Sequence, residues 1–340
     1  MSIPARDLEN TVAELIAPGK GILAADESVG TIEKRFKAVN VTSSQESRRD
    51  YRELLFSTPD LSEFISGVIL FDETIKQKNT VGIPLPELLK TQGMITGIKV
   101  DMGTVALPGF SGEKITEGLD GLTKRLTEYK QLGARFAKWR AVLTIDAGTP
   151  SAQGIAANAY VLARYAALCQ EVGLVPIVEP EVLMDGDHTI DTCASITERV
   201  LHTVFHALHA QRVALELMIL KPNMVVPGST CKEQASPQQI AQATLTCLRR
   251  TVPAAVPGIN FLSGGQTDAA ATANLNAMNA QGKNPWNVSF SYGRALQAAA
   301  IKAWGGEVGH KEVAQQALYQ RARLNSAAVL GAYSAEMEES

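Results

Sequence analysis

Residues 136–181 show the pattern that organises the whole chain: FAKWRAV (Phe136–Val142), then SAQGIAANAYVLARYAALCQEVG (Ser151–Gly173), then LVPIVEPE (Leu174–Glu181). The first and last segments are short and almost continuously apolar, which is typical of strands buried on both faces. The middle segment is amphipathic, begins with a serine that can cap a helix and ends with a glycine that can terminate one. The stretch therefore predicts a β-strand, an α-helix and a second, parallel β-strand.

The same apolar run that turns polar at its end occurs eight times along the chain. The other six runs are Gly21–Asp26, Gly67–Asp72, Met94–Asp101, Ala214–Lys221, Gly258–Gly265 and Trp286–Arg294. Their starts are about 38 residues apart on average, enough for a strand, a helix and two loops. Further helical patterns lie between and around them, at Arg6–Ala17, Thr189–Arg212, Ser236–Thr251, Thr267–Asn279 and Lys311–Leu330.

Eight buried strands that alternate with helices predict an α/β fold, a single (β/α)8 TIM barrel with extra N- and C-terminal helices. At this strand count we favour a closed barrel over an open doubly wound sheet. The first run is not followed by the Gly-x-Gly-x-x-Gly of a dinucleotide-binding fold. Because no charge block or flexible linker divides the chain, we expect one domain over residues 1–340, with the barrel core at about 19–306 and a C-terminal helix and short tail at 307–340.

Composition excludes several classes of function. The 340 residues are 45% hydrophobic and 20% charged with a net charge of −3, which is typical of a globular protein and not of a nucleic-acid binder. The four cysteines form no Cys-x-x-Cys motif, which argues against a zinc knuckle, a redox pair or a disulfide scaffold. No apolar stretch reaches the ~18 residues of a membrane helix, and the first residues lack a signal-peptide layout. We therefore expect a cytoplasmic protein that binds neither nucleic acid nor membrane.

Charged and hydroxyl side chains stand where the runs end. The carboxyl ends of the strands form the active-site mouth of a TIM barrel, so these residues are predicted to converge. Charges are rarely buried without partners, and the set is therefore either an ion-pair lattice or a functional site, of which we favour the site. The residues are Asp26, Asp72, Glu73, Lys99, Asp101, Lys138, Arg140, Glu179, Glu181, Lys221, Ser263, Ser291 and Arg294.

A lysine and two glutamates in this set have side chains suited to covalent and acid–base chemistry. Lys221 follows a strongly apolar run, and burial beside other cations favours the neutral, nucleophilic form of an amine. It can form a Schiff base with a ketone or aldehyde, or else serve as an ion-pair partner or phosphate ligand. Glu179 and Glu181, two positions apart, point to the same side of a strand. They can divide acid and base roles, or simply neutralise Lys138 and Arg140.

Two glycine-containing loops and one histidine pattern complete the candidates. Ser263–Gly265 and Ser291–Arg294 end the last two runs, where barrels commonly hold a phosphate on backbone N–H groups. His202, His206 and His209 share a helical spacing that could bind a metal. They lie on an outer helix, however, and we favour a half-exposed helix face over a metal site.

Together, these motifs resemble the class I fructose-1,6-bisphosphate aldolases. The combination of KPNMV, VEPE and LSGGQ is far more specific than any single motif. The matching segments keep the family's order from about Gly19 to Gly306 and are GKGILAADES, GVILFDET, GIKVD, FAKWR, LARY, VPIVEPE, LKPNMV, RRTVP, FLSGGQ, SYGRALQ and KAWGG.

The resemblance implies reversible, metal-independent cleavage of fructose 1,6-bisphosphate to dihydroxyacetone phosphate and glyceraldehyde 3-phosphate, in glycolysis and gluconeogenesis and without a cofactor. It assigns Schiff-base formation to Lys221 and proton transfer to Glu179. Glu181 and Lys138 would support that network, and Asp26 would take part in deprotonating the substrate's C4 hydroxyl.

The resemblance also implies two phosphate sites. The residues similar to the family's C1-phosphate site are Ser263, Gly264, Gly293 and Arg294. Those similar to the residues serving the other phosphate are Ser28, Lys99, Lys34 and Arg35, with Thr31 where many relatives have serine. We also expect substrate contacts from Gly265, Ser291 and Arg140.

The end of the sequence departs from the animal members of the family, whose longer tail ends in a tyrosine that assists proton exchange. This sequence ends MEES, and Tyr333 matches an earlier position, so we do not expect it to take that role. Glu179 or water would transfer the proton instead. The resemblance further implies a homotetramer.

Three other functions are compatible with parts of the pattern: a non-catalytic barrel used as a scaffold, a transaldolase-type transfer through a lysine imine, and metal-dependent aldol cleavage. The presence of Lys221, Glu179, Lys138 and Asp26 argues against a scaffold. Two phosphate sites favour a bisphosphate substrate over a transaldolase reaction. The strand ends carry no histidine set for a catalytic metal.

Overall fold

The computed structural model describes residues 5–339. Its strands are β1 Gly21–Ala25, β2 Ile65–Leu70, β3 Ile95–Lys99, β4 Thr104–Ala106, β5 Lys114–Thr116, β6 Phe136–Leu143, β7 Val175–Val182, β8 Ile219–Leu220, β9 Gly258–Phe261 and β10 Asn287–Tyr292. Eight of them form a closed parallel barrel in the order β1-β2-β3-β6-β7-β8-β9-β10, while β4 and β5 form a separate antiparallel hairpin. The predicted (β/α)8 barrel is thus confirmed.

One helix precedes the first strand, and the others connect the strands or follow the last one. They are α1 Ala5–Leu15, α2 Val29–Lys37, α3 Gln45–Phe56, α4 Asp72–Ile75, α5 Leu85–Thr91, α6 Leu122–Gln131, α7 Ala152–Val172, α8 Ile190–Ala210, α9 Pro237–Thr251, α10 Asp268–Asn279, α11 Arg294–Trp304 and α12 Lys311–Val329. The predicted caps are present, because the side chains of Ser151, Thr189, Ser236 and Thr267 each accept a backbone N–H in the first turn. Gly173 ends α7 in the left-handed region, at φ 88°.

Helix α1 packs across the amino-terminal end of the barrel. Its buried Leu8, Val12 and Leu15 share one apolar cluster with strand residues such as Phe136 and Ile177. The Phe136 ring lies so close to Gly97 that a Cβ there would sit 2.2 Å from it. The amino-terminal end is therefore filled with apolar side chains, and the charged residues gather at the other end.

The run at 214–221 differs from the prediction. Only Ile219 and Leu220 form a strand, because Leu215–Leu217 make a 3₁₀ turn and Pro222 has no N–H with which to continue the ladder. The β4–β5 hairpin was not predicted, since its strands are short and largely exposed. None of the helices within residues 5–339 is long and apolar enough to cross a membrane.

Candidate active site

Four charged side chains from four different strands meet inside the carboxyl-terminal mouth of the barrel. Asp26 follows β1, Lys138 lies in β6, Glu179 lies in β7 and Lys221 follows β8. None of the four residues is more than 8% exposed. We call Asp26, Lys138, Glu179 and Lys221 the lysine cluster. Its four members belong to the larger set of strand-end residues that were predicted to converge.

The lysine cluster is a chain of alternating charges. Lys138 Nζ lies 2.7 Å from Asp26 Oδ2 and 3.1 Å from Glu179 Oε2. The other oxygen of Glu179, Oε1, lies 3.3 Å from Lys221 Nζ. Two ammonium groups thus face two carboxylates, which offsets the cost of burying each charge.

The pairing decides the charge state of the carboxyl groups. Burial alone would raise the pKa of Asp26 and Glu179, but Lys138 and Lys221 outweigh it and hold both pKa values below their ordinary range. Burial would lower the pKa of Lys138, yet Asp26 and Glu179 raise it instead. At neutral pH Glu179 is therefore a carboxylate beside the Lys221 amine, the state that can accept a proton from it.

Two further strand-end ion pairs each contain a cation that is more exposed than the lysines of the cluster. Glu181 Oε2 lies 2.5 Å from Arg140 Nε, and the Arg140 side chain is 41% exposed. Lys99 Nζ lies 2.7 Å from Asp101 Oδ1 and 5.9 Å from the centre of the Phe71 ring. Glu179 and Glu181 do point to the same side of β7, as their spacing predicted, but each has its own partners.

The loop after β9 is shaped by two glycines. Gly264 and Gly265 have φ angles of 54° and 92°, in the left-handed region that glycine adopts without strain. Ser263 is buried just before them, and its carbonyl accepts the backbone N–H of Gln266 at 3.1 Å. The backbone here makes a tight turn at the mouth of the barrel.

The loop after β10 lies next to this turn. Gly293 directly precedes α11, whose first N–H groups have no partner within the helix and can bind an anion. The Arg294 Nη2 atom lies 3.8 Å from where a Cβ on Gly265 would be. Among residues 5–339, the buried Ser291 hydroxyl has no hydrogen-bond partner. We call Ser263–Gly265 and Ser291–Arg294 the glycine loops.

The residues expected at the other phosphate are only partly brought together. Ser28 Oγ lies 3.1 Å from Thr31 Oγ1 at the start of α2, and Lys34 is exposed on the same helix. Arg35, in contrast, lies beside the loop after β10, because its Nη2 lies 3.8 Å from where a Cβ on Gly293 would be. The structure thus places Arg35 beside the glycine loops.

Glu27 explains this position of Arg35 and is not among the residues predicted from the sequence. The Glu27 side chain is 5% exposed, forms a very short ion pair with Arg35, and lies 2.7 Å from Arg52 Nη2. It also accepts a hydrogen bond of 2.8 Å from Gln297 Nε2 at the start of α11. The sequence feature that could have indicated Glu27 is its position directly after Asp26, as a second acidic residue at the end of β1.

The three histidines proposed to share a helix face lie on α8. His202, His206 and His209 are all exposed, away from the barrel mouth. In the part of the chain that the structure describes, no group of three or more His, Cys, Asp or Glu side chains is arranged to hold a metal ion.

Comparison with known families shows which family the chain belongs to. The family model described as fructose-bisphosphate aldolase class-I matches residues 7–340. The chain belongs to the class I fructose-bisphosphate aldolase family. The predicted family and enzyme class are therefore confirmed, and the lysine cluster and glycine loops lie in the barrel mouth of a class I aldolase.

Individual class I aldolases are similar over almost their full length. A probable class 1 fructose-bisphosphate aldolase of Xanthomonas campestris is 56% identical over 325 residues, covering 95% of this chain and 97% of that one. Cytosolic fructose-bisphosphate aldolase 6 of Arabidopsis thaliana is 54% identical, covering 98% and 93%. A solved structure of Plasmodium falciparum aldolase, in complex with TRAP and a small-molecule inhibitor, superposes with a TM-score of 0.96 at 50% identity, covering 97% and 96%.

Proposed function

We propose that this aldolase cleaves fructose 1,6-bisphosphate reversibly through a Schiff base on Lys221. The observation that carries the proposal is the 3.3 Å separation of Lys221 Nζ and Glu179 Oε1 inside a buried cluster. A nucleophilic amine and a carboxylate able to take its proton are thus adjacent and shielded from water. Together they can convert a substrate ketone into an imine.

Imine formation requires several proton transfers, and Glu179 is placed for the first and the last. The Lys221 ammonium first loses a proton to Glu179, and the amine attacks the C2 carbonyl of the open-chain sugar. A second nitrogen-bound proton then moves to the former carbonyl oxygen, which gives the neutral carbinolamine. The protonated Glu179 then gives its proton to the carbinolamine hydroxyl, which leaves as water and yields an iminium ion. Lys138, 3.1 Å from Glu179 Oε2, stabilises the carboxylate between turnovers.

Carbon–carbon cleavage follows from the electron demand of the iminium. Asp26, whose pKa is held below its ordinary range, is a carboxylate at neutral pH and takes the proton of the C4 hydroxyl. The electrons of the C3–C4 bond move into the iminium, and glyceraldehyde 3-phosphate leaves. The remaining enamine is protonated at C3, and water hydrolyses the imine to release dihydroxyacetone phosphate and free Lys221.

The substrate's phosphates are assigned to two sides of the mouth. The glycine loops offer backbone N–H groups at the start of α11 and the Arg294 guanidinium for the C1 phosphate. Ser28, Thr31, Lys34 and Lys99 are proposed to serve the other phosphate. Arg35 lies beside Gly293, so we assign it to the C1 side.

We further propose that the enzyme acts in glycolysis and gluconeogenesis, in the cytoplasm, as a homotetramer. The cytosolic plant aldolase among its relatives supports the location. Sedimentation equilibrium of the purified chain tests the tetramer, which predicts about four times the 36.4 kDa chain mass.

The proposal is tested by measuring triose phosphate formation from fructose 1,6-bisphosphate in the presence of EDTA. Lys221→Met keeps the length of the side chain but removes the amine, and we expect kcat to fall by about 10⁴-fold or more. Lys302→Met, at an exposed position on α11, is the control and keeps wild-type activity. Activity of Lys221→Met within tenfold of wild type contradicts the proposed mechanism.

A further inference from the structure

The two strands that carry the reacting groups lose their backbone pairing just where those groups stand. Strand β8 is two residues long, and the last ladder bond runs from Lys221 N to Val178 O at 2.8 Å. Two residues further along β7, Pro180 has no N–H to donate to its neighbour. The ladder therefore ends beside Glu179.

The side chain of Asn223 bridges this gap. Its Oδ1 accepts the backbone N–H of Val182, at the end of β7, at 3.0 Å. Its Nδ2 donates to Thr197 Oγ1 on α8 at 3.2 Å and to the Met224 carbonyl at 3.1 Å. Asn223 is 5% exposed, so all these bonds are shielded from water. A carboxamide thus joins the segment after Lys221 to the end of β7 and to an outer helix.

We propose that Asn223 is a positioning residue for the aldol reaction, whose side chain replaces the missing strand pairing and sets the separation of Lys221 and Glu179. The inference rests on the proposed imine at Lys221. Asn223 is two residues from Lys221, and its partner Val182 is three from Glu179, so loss of the bridge lets the two segments move apart. A displacement of about 1 Å at a reacting centre can lower the rate about 100-fold.

Rapid-mix trapping with borohydride and fructose 1,6-bisphosphate measures the rate of imine formation, and steady-state assays give kcat and KM. Asn223→Leu keeps the approximate shape but removes the acceptor and the donors. Asn223→Asp keeps an oxygen for the Val182 N–H. Thr197→Val is the matched control, because it removes one partner of Nδ2 and leaves the bridge to Val182. Thermal unfolding and competition by inorganic phosphate are measured for each variant.

We expect Asn223→Leu to lower the trapping rate and kcat together, about 10- to 100-fold, with a smaller change in phosphate binding at the glycine loops. Asn223→Asp loses less than about tenfold, and Thr197→Val keeps the wild-type rates even where its Tm falls. If Asn223→Leu does not fold, the trapping rates of Asn223→Asp and Thr197→Val test the inference instead.

Wild-type trapping rates in folded Asn223→Leu would overturn the inference, and so would equal losses in Asn223→Leu and Thr197→Val. A loss in Asn223→Asp beyond tenfold would also overturn it. A wild-type enzyme that traps no adduct at Lys221 would instead refute the proposed mechanism itself, so the two failures are distinguishable.

Discussion

The lysine cluster and the glycine loops lie at the same end of the barrel but differ in the pairing and exposure of their charges. In the lysine cluster, each charge has an opposite charge within 3.3 Å and almost no exposure to water. In the glycine loops, Arg294 is exposed and, among residues 5–339, makes no ion pair. The loops otherwise offer backbone N–H groups and hydroxyls.

On the basis of this difference, we assign the chemistry to the lysine cluster and phosphate binding to the glycine loops. The lysine cluster is neutral as a unit and is held by its own ion pairs, which preorganises it for proton transfer. The glycine loops carry unbalanced positive charge, which an incoming phosphate completes. Changes in the cluster should therefore lower kcat and stability, whereas changes in the loops should raise KM.

The largest effect among the carboxylates is expected for Glu179→Gln. The amide cannot accept the Lys221 proton, so kcat should fall about 10²- to 10⁴-fold in steady-state cleavage assays. Glu181→Gln, in the same strand but paired with the half-exposed Arg140, is the comparison and should lose much less. Equal losses of kcat in the two variants would show that the lysine cluster and the Glu181–Arg140 pair do not differ in their contribution to catalysis.

Arg294→Ala tests the proposed role of the glycine loops in phosphate binding. Loss of a charge-assisted contact to phosphate, about 1.5–3 kcal/mol, should raise KM about 10- to 100-fold with little change in kcat. The same increase is expected with fructose 1-phosphate, which shares the C1 phosphate. Arg249→Ala, exposed on α9, should leave KM unchanged. A fall in kcat with constant KM would place Arg294 in the chemistry instead.

The smallest effect is the pH dependence of stability. The pKa of Asp26 is lowered in the folded protein, so below about pH 4 the unfolded chain takes up that proton first and stability falls. The drop in Tm between pH 6 and pH 3.5 should therefore be about 1 °C smaller in Asp26→Asn than in wild type.

Asp268 provides a control of opposite sign. Burial raises its pKa, so the folded protein takes up this proton first as the pH falls, and Asp268→Asn should enlarge the drop in Tm. Calorimetry at the two pH values measures both variants. Identical drops in wild type and Asp26→Asn would show that the ion pair with Lys138 does not lower the pKa of Asp26.

Much of this arrangement could be predicted from the sequence. Apolar runs and helix caps predicted the barrel, and parallel strands bring their carboxyl ends together, which placed Lys138, Glu179 and Lys221 in one mouth. The choice of partners depends on side-chain directions across neighbouring strands. The ion pair that holds Arg35 beside Gly293 could therefore not be read from spacing alone.

Two residues that were not predicted, Asn223 and Glu27, act through bonds to a strand backbone or to side chains on helices. Asn223 matters because Pro180 removes a ladder bond, an effect that appears only when β7 and β8 are aligned. Glu27 points to Arg52 and Gln297, which are distant in sequence. Likewise, the shortening of β8 follows from a local 3₁₀ turn within an otherwise strand-like apolar run.

The measurement that tests the central claim most directly is borohydride reduction with and without fructose 1,6-bisphosphate, in EDTA, followed by mass mapping of peptides. We expect a substrate-dependent adduct confined to the peptide that contains Lys221, and none in Lys221→Met. A folded protein that cleaves the substrate yet gives no adduct, or an adduct on Lys138 or Lys99 instead, would contradict it.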